Sequence, residues 1–291
     1  MQTDPPPEKR PHPLEMPPAP RSQPPQGQQA RLRIPSVRPY VTYGILAVNI
    51  AIFLIRALSP EIDLNLLIWG ADNPSAVLQH GEYYRLLTSM FLHSGIYGPN
   101  GEYVFANSLH LIFNAYVIYG VGTNLERVFG HTRFALIYFL GGLAGSVASV
   151  VMNALLGYMN VSSVGASGAA FALIGAEFAF LYQHRKLLRQ QARARMQSLI
   201  AFGLINLLFG FASSLGLSEV RVDNWAHIGG LAGGFILTWF IGPDFLLEKH
   251  PDNPQDWLAV DVNPLNGKTW VLSVYIAGLL GLLIVGVLAA R

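Results

Sequence analysis

Ser167 has the surroundings of a nucleophile. It lies between glycines in the segment GASG, residues 165–168, at the start of an apolar stretch long enough to cross a bilayer. A serine at a helix N-terminus lies beside free backbone N–H groups that can hold an oxyanion. The same small residues also let two membrane helices pack closely. The segment alone is therefore compatible with a nucleophile and with a packing contact.

His227 is the candidate base for Ser167. It begins another apolar stretch, which is rich in glycine. Ridges of small residues bring membrane helices together, so we expect these two helices to touch and the two side chains to meet. The alternative is a structural histidine that bonds across helices, although an ionisable group inside a span is by default a functional hypothesis. The ridges consist of residues at spacing four: Gly168, Ala172 and Ala176 on one helix, Gly229/Gly233 and Gly230/Gly234 on the other.

Two further polar residues, His110 and Asn114, share one face of a predicted helix because they are four residues apart. Donors on such a face can stabilise a developing oxyanion together with the Ser167 N–H, and one donor contributes roughly 3–4 kcal/mol in serine hydrolases. Hydrogen bonding between helices is the alternative role.

Asp223 precedes the helix of His227, and we therefore expect a Ser–His dyad without an aspartate. The base must be neutral to accept the serine proton.

The composition is that of a membrane protein. Of 291 residues, 52% are hydrophobic and 12% are charged, whereas soluble domains carry about 25% charged residues. The chain has no cysteine, which excludes disulfides, thiolate zinc sites and a cysteine nucleophile. The net charge of +2 says little about partners, and we expect membrane lipids and no nucleic acid among them. The oligomeric state stays open.

The sequence lacks the signatures of three other classes of membrane protein. The H-E-x-x-H motif of zinc proteases is absent, and no predicted span has the central aspartate that an aspartyl protease needs. A transporter would be expected to show repeat symmetry or buried charge pairs, and the sequence has no internal repeat.

Hydropathy predicts about seven spans of about 20 residues each. Since lipid requires backbone groups to be satisfied internally, we predict an all-α polytopic membrane protein with a six-helix core and one further C-terminal helix. Basic residues cluster before the first span and between the second and third and the fourth and fifth spans, which places the N-terminus in the cytoplasm. The predicted spans are 41–58, 103–121, 134–152, 164–182, 199–217, 225–241 and 270–290.

The sequence divides into four regions. Residues 1–39, with roughly a dozen of the 19 prolines, are predicted to form a disordered cytoplasmic tail. Residues 40–242 form the helical core, in which the long apolar connection 59–102 is expected to lie in the external interface. Residues 243–269 are a predicted cytoplasmic linker and 270–291 the seventh helix.

Taken together, these motifs closely resemble those of the rhomboid intramembrane serine proteases. The resemblance covers about residues 81–242. It depends on GEYYRLLTSMFLH at 81–93, His110-xxx-Asn114, LER at 125–127, GASG at 165–168 and Ala226-His227-xx-Gly230.

The resemblance implies a function. It implies that Ser167 is the nucleophile and His227 the general base, that His110 and Asn114 line the oxyanion hole, and that Arg85 helps to hold a half-submerged external loop. It implies substrates that are single-pass membrane proteins, cut in or near the transmembrane segment, and no metal or cofactor. We expect a multi-pass protein of the plasma or inner membrane whose active site opens to the external face.

Two departures from the family pattern stand out. Tyr84 occupies a position that is usually tryptophan, and residues 94–109 separate His93 from His110, which usually lie a few residues apart. The alternative function is a catalytically inactive rhomboid-like protein that binds or escorts membrane proteins; the intact Ser167 and His227 argue against it.

Overall fold

The structure is a computed structural model that describes residues 32–98, 100–215, 222–251, 253 and 256–291. Most of the predicted disordered tail, residues 1–31, therefore lies outside the described residues. The helices are α1 (Tyr40–Arg56), α2 (Pro60–Gly70), α3 (Arg85–Thr88), α4 (Phe105–Val117), α5 (Thr123–Phe129), α6 (His131–Leu155), α7 (Ser167–Gln183), α8 (Arg185–Ser214), α9 (Asn224–Ile241) and α10 (Thr269–Ala289). The strands are β1 (Leu32–Arg33), β2 (Phe245–Lys249) and β3 (Trp257–Asp261).

The architecture is that of a helical membrane protein, as predicted. Three of the described helices, α6, α8 and α10, are long and apolar enough to cross a bilayer. Helices also occupy the other four predicted positions, but α1, α4 and α7 have 17, 13 and 17 residues, and α9 contains polar residues in its first turn. The number of crossings and their orientation stay predictions.

Helix α8 differs from the prediction at its N-terminal end. It begins at Arg185 rather than near residue 199, so that the basic segment expected to be a loop is helical. Arg, Lys, Leu, Gln and Ala dominate this segment, and all are strong helix formers. A bend at Arg189, with φ 46° and ψ −118°, interrupts the helix within this basic segment, which continues to Arg195.

A small sheet was not predicted. Strand β3 lies between β1, which pairs with it in parallel, and β2, which pairs with it antiparallel. The predicted tail therefore contributes a strand at Leu32–Arg33, and the predicted linker contributes two. Arg133 of α6 donates to Asp261 over 2.6 Å and ties the sheet to the helices. A two-residue strand carries no periodicity from which it could be predicted.

The core of the bundle consists of α6, α7 and α9, and glycines determine how closely they approach. A Cβ added at Gly230 would lie 2.8 Å from the carbonyl carbon of Gly168, and one added at Gly234 would collide with the backbone of Ala172. This ridge faces α7, as predicted. The second ridge faces α6 instead: a Cβ at Gly229 would lie 2.7 Å from the carbonyl oxygen of Ala144. Adjacent helical residues point about 100° apart, so the two ridges contact different neighbours.

Candidate active site

Ser167 is the first residue of α7, and the turn that precedes it depends on a glycine. Gly165 has φ +134°, a conformation that side chains with a Cβ rarely adopt. Its N–H donates to the carbonyl oxygen of Ser89 over 2.9 Å, which fixes the turn. The N–H groups of the first turn of a helix have no partner within the helix. The half-buried serine therefore lies beside backbone donors of the kind an oxyanion hole uses.

His227 lies in the first turn of α9 and faces α7. Its ring stacks on Phe171, with centroids 4.1 Å apart and planes 6° from parallel. Phe171 follows Ser167 by one turn and shares its helix face. The serine and the imidazole thus lie near the N-terminal ends of two helices that pack against each other. Among the described residues no hydrogen bond joins them, and His227 Nδ1 is buried without a partner there.

Asp223 is engaged elsewhere. As the N-cap of α9, its Oδ1 accepts from the Ala226 N–H over 3.0 Å, and its Oδ2 accepts from the Ser149 hydroxyl. Both carboxylate oxygens thus have partners other than the His227 ring. This arrangement is compatible with the predicted dyad.

His110 is placed beside Ser167 by the second turn of α4. A Cβ added at Gly165 would lie 2.9 Å from His110 Nε2 and 3.6 Å from Ser167 Oγ, so both side chains border the same glycine. On its other edge, His110 Nδ1 lies 3.0 Å from Ser94 Oγ. Asn114 is buried, and its amide donates 2.9 Å to the His110 carbonyl oxygen of its own helix. The structure therefore brings His110 to the serine and leaves the Asn114 amide bonded within α4.

Arg85 lies in the connection 59–102, which is predicted to be external, and it holds α2 there. Its Nη1 donates to the carbonyl oxygens of Ile68 (2.7 Å) and Ala71 (2.9 Å), at the C-terminal end of that helix. Its Nε donates to Glu82 over 2.5 Å. These bonds fit the predicted structural role in the loop.

A small cleft of about 10 Å³ borders Ser167, room for about one water molecule. Polar side chains line it, including Asp72, Ser89, Ser146 and Ser163.

Asp72 was missed in the sequence because a single acid in an irregular loop belongs to no periodic pattern. Burial, and next the nearby charge of Asp223, raise the pKa of the Asp72 carboxyl well above its usual value. Its Oδ1 has no hydrogen-bond partner within the described chain.

A second polar group missed in the sequence is an ion pair between the end of α1 and α2. The Arg56 guanidinium, fully buried, lies 2.6 Å from the Asp63 carboxylate, which is itself nearly buried. The arginine is the last residue of α1, and no sequence pattern pairs it with Asp63 of α2. Nowhere in the described ranges do three or more His, Asp or Glu residues cluster as metal ligands would.

Comparisons with known proteins agree with the resemblance. Residues 102–244 match the Rhomboid domain family model. The chain is 36% identical to the rhomboid protease GluP of Bacillus subtilis over 207 residues, which are 70% of this chain and 35% of GluP. It is 33% identical to RHOMBOID-like protein 1 of Arabidopsis thaliana over 233 residues, 76% of this chain and 53% of that protein.

A shorter relative is covered almost completely. The chain is 30% identical to the Bacillus subtilis rhomboid protein YdcA over 203 residues, which are 69% of this chain and 87% of YdcA. Of GluP and RHOMBOID-like protein 1, by contrast, the chain spans about a third and about half of the length. The protein is a member of the rhomboid family.

Proposed function

We propose that the protein is an intramembrane serine endopeptidase that cleaves single-pass membrane proteins in or near their transmembrane segment. The observation that carries the proposal is the contact of α7 and α9, in which Ser167 begins one helix and His227, in the first turn of the other, stacks on Phe171 one turn after the serine. Membership in a family that includes the rhomboid protease GluP supports the same activity.

In the proposed reaction His227 accepts the proton of Ser167 as its hydroxyl oxygen attacks the substrate carbonyl carbon. The negative charge that develops on the carbonyl oxygen is held by the Ser167 N–H and by His110. The imidazolium returns the proton to the leaving amine as the peptide bond breaks. Water, deprotonated by His227, then hydrolyses the acyl-enzyme.

Two side chains have to adjust for this reaction. His227 must turn on the Phe171 ring to reach the serine, and catalytic hydrogen bonds are often long in enzymes without substrate. The Asn114 amide uses one of its two N–H groups on the His110 carbonyl oxygen, over 2.9 Å, so its second N–H has to be turned toward the oxyanion to donate there. We propose that substrate binding provides this second donor.

The proposed setting is the plasma or inner membrane, with the N-terminus in the cytoplasm and the active site open to the external face. Ser167 and His227 both lie at the N-terminal ends of their helices. Since α7 and α9 run in the same direction in the predicted topology, water can reach both from one side of the bilayer. The natural substrates are proposed only as a class.

The test is cleavage of a single-pass reporter protein in liposomes. Wild-type protein should cut the reporter, and Ser167→Ala and His227→Ala should each abolish cleavage. Ser198→Ala is the matched control, because within the described residues that exposed hydroxyl bonds only to the Ala194 carbonyl oxygen of its own helix, and it should retain full activity. Reporter binding without cleavage by the wild-type protein would contradict the protease and favour the inactive, escorting alternative.

A further inference from the structure

The contact between Ser94 and His110 determines which ring nitrogen carries the proton. The backbone N–H of Ser94 donates to His110 Nδ1 over 3.3 Å. A backbone N–H can only donate, so Nδ1 must be the unprotonated, accepting nitrogen. In a neutral imidazole the proton then resides on Nε2. The Ser94 hydroxyl, 3.0 Å from the same nitrogen, can donate a second hydrogen bond that favours the same tautomer.

The protonated nitrogen is the one that borders the nucleophile. His110 Nε2 and Ser167 Oγ both lie against Gly165, within 2.9 and 3.6 Å of the position that a Cβ there would occupy. A hydrogen on Nε2 therefore points into the region where the oxyanion would form. In the other tautomer the same edge would present a lone pair to a developing negative charge, and the donor would be lost.

A buried ion pair holds Ser94 in place. Arg56 Nη1 donates to the His93 carbonyl oxygen over 2.8 Å and Nη2 to the Ser94 carbonyl oxygen over 3.3 Å. The partner of Arg56, Asp63, also accepts from the Ile96 N–H over 2.8 Å. The ion pair therefore holds the chain on both sides of Ser94.

The neighbouring ring does not compete for this role. His93 lies edge-on to His110, with ring centroids 5.3 Å apart. Burial, and next the proximity of His110 and Arg56, lower the pKa of His93 to about 3. No hydrogen bond joins the two rings within the described residues, so the Nδ1 of His110 is left to Ser94.

We propose that Ser94 is a positioning residue that fixes His110 in its Nε2–H tautomer, and that the Arg56–Asp63 pair holds Ser94 for this purpose. This inference rests on the proposed function, in which His110 donates to the oxyanion. It also gives a role to the start of the insertion 94–109, which separates the two histidines in the sequence. The insertion begins with the residue that orients the donor.

The direct test is ¹⁵N NMR of histidine-labelled protein in lipid, with the His110 signals assigned by their absence in His110→Asn. Wild-type His110 should show an unprotonated Nδ1 and a protonated Nε2, whether or not a substrate is cut. In Ser94→Ala, which keeps the backbone N–H and loses the hydroxyl, a population with a protonated Nδ1 should appear. A protonated Nδ1 in the wild type would overturn the inference.

Kinetics give the second readout. Ser94→Ala should lower kcat about 3- to 10-fold, the equivalent of one neutral hydrogen bond, with KM unchanged. Ser94→Thr, which restores a hydroxyl, should recover the rate, and Ser198→Ala should leave it unaffected. An unchanged kcat and tautomer in Ser94→Ala, in a wild-type enzyme that cleaves, would overturn this inference alone. A wild type with the expected tautomer and no hydrolytic activity would instead contradict the proposed function.

Discussion

His227 lies flat on Phe171, with ring centroids 4.1 Å apart and planes 6° from parallel. One helix, α7, therefore carries both the candidate nucleophile and the surface on which the candidate base lies. The relative position of base and nucleophile thus depends on one aromatic ring as well as on helix packing.

Replacing that ring should slow the reaction without preventing substrate binding. An aromatic pair contributes about 0.5–1.5 kcal/mol beyond burial, so Phe171→Leu should lower kcat by about 2- to 10-fold, with KM little changed. Phe171→Tyr keeps the ring and should retain most of the activity. Cleavage rates at saturating and limiting substrate provide the measurement. Equal rates for the leucine variant and the wild type would show that the stack does not position the base.

The contact between α7 and α9 should tolerate no side chain at Gly230. A Cβ there would lie 2.8 Å from the carbonyl carbon of Gly168, so Gly230→Ala must push the helices apart. We expect a lower melting temperature in detergent and loss of cleavage. Gly278→Ala is the matched control, since no described atom lies within 4 Å of the position its Cβ would take. A Gly230→Ala protein as stable and active as the control would contradict this packing.

Breaking the buried Arg56–Asp63 pair should destabilise the fold. Removing one partner leaves a buried charge unpaired, so Asp63→Asn should cost about 3–5 kcal/mol in the free energy of unfolding. Replacing both, as in Arg56→Met/Asp63→Leu, should cost clearly less than the single change. Arg195→Gln breaks a partly exposed pair with Glu177 and should cost at most about 1 kcal/mol. Denaturant unfolding in detergent measures these differences; equal losses in Asp63→Asn and Arg195→Gln would argue against the burial.

Asp72 should make stability fall as pH rises. Burial raises the pKa of this carboxyl above its value in the unfolded chain, so the folded state binds the proton more tightly. The contribution of this carboxyl to the free energy of unfolding is therefore complete below about pH 4. It is lost as pH rises through the higher pKa of the folded state. Asp72→Asn mimics the protonated acid, so it should remove the pH dependence that is due to this carboxyl and raise the melting temperature at neutral and alkaline pH. Identical pH profiles for variant and wild type would contradict the assignment.

The sequence predicts best the helices whose apolar or small residues repeat regularly over many positions. Glycines at spacing four indicated the contact of α7 and α9. The candidates Ser167, His110 and His227 came from the GASG segment, from the spacing of four between His110 and Asn114, and from an ionisable group at the start of an apolar span. Half of the pattern was assigned to the wrong neighbour, since Gly229 and Gly233 face α6. Spacing shows that a ridge exists, while the three-dimensional arrangement decides which helix meets it.

The irregular external connection could not be predicted in the same way. The roles of Ser94, Asp72 and the Arg56–Asp63 pair depend on contacts between residues distant in sequence, such as the 3.3 Å bond from the Ser94 N–H to His110. No periodicity marks such contacts. The sheet was missed for the related reason that β1 has two residues and pairs with a strand more than 200 residues away.

The central claim is that Ser167 is a nucleophile activated by His227, and covalent labelling tests it most directly. A fluorophosphonate probe should modify the detergent-solubilised wild-type protein at Ser167, as located by mass spectrometry of its peptides. The label should disappear in Ser167→Ala and in His227→Ala, and persist in Ser198→Ala. Labelling at another serine, or undiminished labelling of Ser167 in the His227→Ala protein, would contradict the account.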